Sequence, residues 1–386
     1  MRGAVEIVFW LAAGLIAWTQ LGYALILAVL ARPSARRSQG ADDSSARPEQ
    51  SPQVSLIVAA HDEEGVIGEK VAEALAQDYP GRLEVIVCCD GCADATAPRA
   101  RAAGADRVLE LPRGGKVRAQ DAGVAKARGE LVAFSDANAR WEPDALARLV
   151  EAFADPRVGY ACGQVRFVQA AAGTGATNQE GLYWRYETAV RALESRLASI
   201  TAGNGAIYAT RRESYMVVDP VMGHDLSFPF NMVKRGWRAV YAPAARATER
   251  MVPSIEGEFA RKRRMMSHTW PIVLRGGMLS PRGYGPGYAA MIVSHRLLRY
   301  LTPGLHGVAL LTSLYLVVDR AGIAYDAAVL VQVVVLAAAA LAGVLRARPL
   351  LIARYYVLTT SSLAAGLWDW LRHGTVAAWE AAEGTR

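Results

Sequence analysis

Residues 114–146, GGKVRAQDAGVAKARGELVAFSDANARWEPDAL, read as helix, strand, acidic turn and helix in succession. Val117–Ala127 has helical spacing, Leu131–Phe134 is a short apolar run that fits a buried strand, and Pro143–Phe153 is helical again. Working outward, Val54–Ala59, Leu83–Cys88 and Val108–Leu111 are further short apolar runs, and Val66–Ala76 and Ala95–Ala103 are the helices between them. Continuous apolar strands alternating with helices predict an α/β fold with a mainly parallel sheet covered by helices. In such sheets ligands bind beyond the carboxyl ends of the strands. The polar clusters His61–Glu64, Asp90–Asp94 and Asp136–Asn138 fall there.

An Asp after a strand is ordinarily a helix cap, and Asp94 alone fits that role. Three acidic clusters at neighbouring strand ends instead make a crevice rich in oxygen donors, suited to a hard divalent cation and a phosphorylated ligand. Gly114-Gly115-Lys116 opens a helix, so backbone can approach an anion closely and the ammonium adds a point charge. The P-loop spacing is absent, and no GxGxxG follows the first strand, which removes the main support for a nicotinamide-dependent oxidoreductase. The four cysteines, Cys88, Cys89, Cys92 and Cys162, fit a reducing compartment. Cys89-Asp90-Gly91-Cys92 has CxxC spacing but no second pair to complete a zinc site, nor a thioredoxin-like pattern around it.

The chain has 386 residues, a net charge of +7 and 52 % hydrophobic residues, and the apolar surplus collects in the first 31 residues and the last hundred. Ile7–Ala31 has no charged residue and is long enough to span a bilayer; Leu301–Val318, Ala327–Leu345 and Leu350–Leu371 are three further candidates. The last carries Arg354 and Asp369, charges that packing or snorkelling must accommodate. Arg32, Arg36, Arg37, Arg346 and Arg348 flank these segments, whereas the loop Asp319–Asp326 is short and not basic. The positive-inside bias therefore places residues 32–300 in the cytoplasm, and four spans would return the tail, residues 372–386, to the outer side unless the last helix is interfacial. The expected layout is an anchor (1–31), a linker (32–52), a cytoplasmic domain (53–275), an interfacial segment (276–300), membrane helices (301–371) and a tail (372–386). The basic residues cluster at membrane flanks and no nucleic-acid-binding motif appears, so nucleic acid is not an expected partner.

Four stretches in order, VSLIVAAHDEEGVIGEKVAEALAQDYP (54–80), VIVCCDGCADAT (85–96), residues 114–146 and GHDLSFPFNMVKRGWRAVYAPAA (223–245), resemble the membrane-bound bacterial branch of family 2 glycosyltransferases, over about residues 52–270. The resemblance implies a GT-A fold flanked by one N-terminal and about three C-terminal membrane helices. It implies that Glu63 and Asp90 line the base and ribose of a nucleotide, and that Lys116 approaches the diphosphate. Asp136-Ala137-Asn138 matches the DxD motif with Asn138 at its second acidic position, so Asp136 would hold Mg²⁺ or Mn²⁺ with one negative charge fewer nearby. Asp225 matches the general base, and His224 replaces the acidic residue before it. Gly203 and Asn204 resemble an acceptor-side segment, or else a tight turn before a strand. Arg261 and Arg264 match a basic motif over the diphosphate, with Met265 where that motif has Trp; the cluster Arg261–Arg264 also reads as a lipid-facing basic flank. Tyr183, Trp184 and Tyr186 could stack on sugars but read more simply as packing.

The implied activity is inverting transfer from a nucleotide-diphosphate sugar to a lipid, polyprenyl-linked or polysaccharide acceptor at the inner (cytoplasmic) membrane. Homo-oligomerisation or a synthesis complex would supply the further spans a polymer channel needs. A non-catalytic scaffold or export component with the same fold is the alternative, motivated by His224 and Asn138.

Overall fold

The four apolar runs of the first half pair as the alternation predicts. In a computed structural model, which describes residues 1–32, 51–168, 177–250, 255–345, 347–375 and 377, they form β1 (Val54–Ala60), β2 (Leu83–Asp90), β3 (Arg107–Leu111) and β4 (Leu131–Asp136). β1 lies between β2 and β4, β2 pairs with β3, and all three pairings are parallel. The register sets Ala59 opposite Asp136 and Asp90 opposite Leu111, so both acidic strand ends come out on one edge. The connecting helices are α1 (Arg2–Leu30), ahead of the sheet, then α2 (Ile67–Leu75), α3 (Thr96–Ala102) and α4 (Lys116–Lys126).

The rest of the sheet is built differently. After β5 (Arg140–Trp141) and α5 (Ala145–Glu151) come β6 (Val158–Val168), α6 (Thr177–Leu197), β7 (Ile207–Arg211), α7 (His224–Lys234) and β8 (Arg238–Arg250). Among the described residues eight strands form one sheet, ordered β3-β2-β1-β4-β7-β6-β8-β5. β7 runs antiparallel to β4 and β6, and β8 is parallel to β6 with two register shifts. The expected α/β fold with a mainly parallel sheet is what the chain adopts, with an antiparallel insertion that the alternation pattern does not foretell. Successive residues of each strand face opposite layers. Leu56, Val85 and Leu131 join one core, and Ile57, Ile86 and Phe134 the other. Phe134 is fully buried, and truncation to Ala would remove about 3–5 kcal/mol of stability.

The apolar segments are helical. α8 (Ile255–Leu274) leaves the sheet, followed by α9 (Pro286–Tyr300), α10 (Thr302–Val318), α11 (Ile323–Leu341) and α12 (Arg348–His373). Among the described residues three helices are long and apolar enough to cross a membrane, α1, α11 and α12; α9 and α10, bent by 64° at their junction, make a fourth candidate together. α11 begins four residues before the expected span, directly after Gly322 at φ 136°, and ends at Leu341. The start of α1 lies beside the turn between α10 and α11: an Arg2 guanidinium N–H donates to the Ala321 carbonyl (3.1 Å), and Phe9 meets Tyr325 edge-on at 5.1 Å.

α12 packs along α8. Arg263 makes a bidentate pair with Asp369 (2.6 Å to each oxygen), the Trp270 indole donates to the Leu363 carbonyl (3.0 Å), and Arg354 reaches Glu256 (2.6 Å). Both charges that make the last apolar segment unusual are thus answered by α8. Arg36, Arg37, Arg346, linker residues 33–50 and tail residues 378–386 lie outside the described residues.

Candidate active site

At the end of β2, Asp90 is nearly buried, and its carboxylate accepts the N–H groups of Gly114 (2.6 Å) and Gly115 (3.1 and 3.0 Å). Gly115 has φ +93°, a conformation favouring glycine, and it caps the helix that begins at Lys116. The two glycines therefore serve to seat the α4 N-terminus on Asp90. Glu63 is 3 % exposed, and its backbone N–H donates to the Thr96 hydroxyl (2.8 Å), which ties the β1 turn to α3. His61 Nδ1 lies 2.8 Å from the Asp90 carbonyl. Ligand atoms of His61, Asp62 and Cys92 come within 4.8 Å of one another at this corner, a mixed donor set rather than the oxygen-rich set expected at the DxD turn.

At the end of β4, Asp136 forms an ion pair with Lys116. Gly205 sits against this pair: a Cβ there would stand 3.2 Å from the Lys116 ammonium and 3.9 Å from Asp136 Oδ2. Asn138 is half-buried in the turn after Asp136. Glu249, near the end of β8, enters the same field; burial first and the Asp136 carboxylate second push its carboxyl up to about 7, against the pull of Lys116 and Arg261. Nothing in the sequence pattern marks Glu249, which lies 113 residues beyond Asp136 and enters its field because β8 pairs with β5, setting Thr248 opposite Arg140. Asp136, Glu249 in its electrostatic field and Asn138 in the turn after β4 offer a hard oxygen set that fits Mg²⁺ or Mn²⁺.

Asp225 lies in the first turn of α7, with its carboxylate folded back toward Gly223. Its backbone carbonyl accepts the N–H of Gly203 (2.7 Å), and the Gly203 carbonyl accepts from Arg191 (3.1 Å). A side chain at Gly203 would collide with the Tyr160 hydroxyl. The loop 203–205 therefore touches Asp225 at one end and the Lys116–Asp136 pair at the other. The Asn204 side chain donates to the Gly163 carbonyl (2.7 Å) and accepts the N–H groups of Ala206 (3.1 Å) and Ile207 (2.9 Å). Its amide holds the turn into β7, the simpler of the two roles expected for it.

His224 faces inward from α7. It is 3 % exposed, stacks on Phe228 (4.0 Å) and pairs its Nδ1 with the Tyr208 hydroxyl (2.8 Å). Burial, with a smaller push from Lys116, lowers its pKa to about 3, so the ring is neutral. The residue before Asp225 thus supports the helix from its core side.

Arg261, Arg264 and His268 recur at helical spacing on α8. Arg261 is bidentate on Glu258 (2.7 and 2.8 Å) and within the field of Glu249; Arg264 is exposed and makes no ion pair among the described residues. His268, lowered by burial, feels both Arg264 and Asp225. Lys262 also pairs with Glu258 (3.2 Å) and Arg263 with Asp369, so three of the four basic residues have carboxylate partners within the fold. Of the aromatic trio, Trp184 leans on Phe167 at 5.0 Å and the Tyr186 hydroxyl donates to the Thr19 carbonyl (3.5 Å); the Tyr183 side chain lies outside the described residues. After α12 the chain returns to this face: the Thr375 hydroxyl donates to the Ser267 carbonyl (2.7 Å), and the Ala377 carbonyl packs on Gly115.

An N-acetylglucosaminyltransferase of Rhizobium leguminosarum bv. viciae is 28 % identical over 230 residues, covering 55 % of this chain and 54 % of its own length. A beta-monoglucosyldiacylglycerol synthase of Synechocystis is 37 % identical over 123 residues, 28 % of this chain and 24 % of that one. The chain thus spans about half the length, or less, of these curated relatives. A mannosyltransferase from Pyrobaculum calidifontis, solved in complex with GDP-Man and Mn²⁺, superposes with a TM-score of 0.70 at 22 % identity, covering 95 % of this chain and 100 % of that one, and shows the shared GT-A fold. The family model described as glycosyltransferase like family 2 matches residues 52–267. That match takes in more than half of the chain and every strand of the sheet, and the chain belongs to glycosyltransferase family 2.

Proposed function

We propose that the protein transfers a sugar from a nucleotide-diphosphate donor to a lipid or saccharide acceptor at a membrane surface, with inversion at the anomeric carbon. The observation that carries this reading is the loop 203–205, which joins Asp225 to the Lys116–Asp136 pair, so base and charge-neutralising groups belong to one site. In this reading Glu63 and Asp90 line the nucleotide, and Lys116, at the start of the helix seated on Asp90, faces the diphosphate. Asp136, with Asn138 and Glu249, would hold Mg²⁺ or Mn²⁺, which supplies charge neutralisation on the leaving diphosphate. Lys116 then exchanges Asp136 for a phosphate oxygen, and Arg261 and Arg264 add positive charge from α8. Asp225 accepts the proton of the acceptor hydroxyl as that oxygen attacks from the face opposite the leaving group.

The contacts of α12 favour an interfacial rather than a crossing last helix. It lies along α8, and residues 375 and 377 return to the face that carries Gly115. With α1, the α10 limb of the bent α9–α10 pair and α11 crossing, the catalytic domain and residues 372–375 share the cytoplasmic side, and the acceptor meets Asp225 at the bilayer surface. The glycolipid synthase relative supports a lipid acceptor; the N-acetylglucosaminyltransferase relative supports an amino-sugar donor. Purified full-length protein in detergent, given Mn²⁺, a diacylglycerol or polyprenyl-phosphate acceptor and a panel of nucleotide sugars, should transfer one of them. Full activity in Asp225→Asn would remove Asp225 from its assigned role.

A further inference from the structure

A second cluster of charges lies buried where α1, α6 and α9 meet, away from the acids of the reaction. Glu194 is 0 % exposed, and Glu187, His295 and Arg296 are nearly so. Glu187 receives Arg299 (2.6 Å) and Arg296 (3.3 Å), while Glu194 pairs with His295 Nδ1 (2.8 Å) and accepts the hydroxyl of Tyr23 (2.6 Å) from α1. Both helices that supply these partners depart from α-helical winding beside them: Trp18–Gly22 precedes Tyr23, and Ile292–Leu297 contains His295 and Arg296, each as a π-helical segment. The wider turn lets consecutive residues 295 and 296 both face inward. Such π segments are rare and concentrate at functional sites.

The cluster ends on one loop. Thr201 donates its N–H to Glu194 Oε2 (3.0 Å), and its hydroxyl accepts from Arg296 Nε (2.8 Å). Tyr288 of α9 donates to the neighbouring Ile200 carbonyl (3.0 Å). Two residues on, Gly203 makes its 2.7 Å hydrogen bond to the Asp225 backbone, and Gly205 abuts Lys116 and Asp136. Burying this many charges is unfavourable unless geometry and partners are complete, so the loop start has essentially one low-energy placement. We infer that Glu194 and Thr201 are positioning residues, which fix the 200–205 loop and through it the base Asp225, and that Tyr23 ties this placement to the first apolar helix.

The inference rests on the transferase reading above. Displacing a base by about 1 Å can slow a reaction about a hundredfold while leaving donor contacts intact, so the expected signature is in kcat. The test compares wild type, Thr201→Val, Thr201→Ser and Tyr23→Phe as full-length proteins in detergent, measuring kcat for transfer, melting temperature, and UDP and GDP affinity with Mn²⁺. Thr201→Val should lose about tenfold or more in kcat with nucleotide affinity within about twofold, Thr201→Ser should regain most of it, and Tyr23→Phe should lose about threefold. A Thr201→Val protein that melts lower yet keeps wild-type kcat overturns the inference, as does one whose nucleotide affinity falls in step with kcat. A wild type that transfers no sugar overturns the transferase reading itself, which is a distinct result.

Discussion

The two charged clusters of this molecule use the same residue types to opposite ends. Around Glu187 and Glu194 every acid meets a guanidinium, an imidazole or a hydroxyl, solvent is excluded, and burial is outweighed by Arg299, His295 and Arg296, which keep Glu187 well below the usual carboxylate range. Around Asp136 the Lys116 ammonium pairs with that carboxylate, and burial first, then the Asp136 charge, raises the nearby Glu249 carboxyl to about 7 against Lys116, Arg261 and Lys70. A closed, balanced cluster fixes position. An open one leaves carboxylate oxygens available to a ligand, which in the proposed function is a divalent cation.

The comparison breaks first at the base. Asp225→Asn should lower kcat about 10³-fold, with nucleotide affinity unchanged, because proton acceptance is lost while the carbonyl that receives Gly203 remains. Wild-type turnover in that variant would remove Asp225 from the proton-accepting role. Asp136→Ala should reduce kcat about 10²-fold and weaken Mn²⁺ binding, as read by titration calorimetry with UDP or GDP present.

The closed cluster should respond in stability instead. Arg296→Ala leaves Glu187 and Thr201 short of a partner in the interior and should cost about 3–5 kcal/mol, measured by denaturation in detergent. An unchanged melting temperature would mean that the cluster is far wetter than its burial implies.

His224 gives a pH test. Its folded pKa near 3 lies below the unfolded value near 6.5, so the unfolded chain binds the proton first as pH falls. Its contribution is complete above about pH 6.5 and declines on acidification, by about 2 kcal/mol at pH 5. His224→Phe should flatten the stability profile between pH 7 and 5; an equally steep profile would assign acid sensitivity elsewhere.

Glu249 runs the other way. Its raised folded pKa means that stability without metal declines as pH rises from about 4.3 toward 7, where the charged carboxyl is unwelcome beside Asp136. Mn²⁺ should therefore raise the melting temperature more at pH 8 than at pH 6, and Glu249→Gln should remove most of that difference.

Much of the parallel half is legible in the linear sequence. β1, β2 and β4 are apolar runs buried on both faces, the helices follow at short spacing, and Asp90 and Asp136 stand at strand ends where parallel topology collects ligands. The other half is less legible, because β6 and β8 carry register shifts and end in charged residues such as Arg166 and Glu249. The basic run Arg261–Arg264 misleads in the same way: as letters it is a patch, yet Arg261 and Lys262 share Glu258, and Arg263 is taken by Asp369 from over a hundred residues away.

By itself the sequence determined the order of strands and helices, the acidic strand ends, the apolar segments and the family, since each depends on local periodicity or on neighbours within a few residues. Tertiary structure alone decided that Glu249 enters the field of Asp136, that His268 lies within the fields of both Arg264 and Asp225, that the last apolar helix lies along α8, and that Thr201 connects a buried charge cluster to the loop that bonds Asp225. These depend on where long-range pairings set each side chain. Electrostatic and hydrogen-bond energies fall steeply with distances that no local pattern encodes.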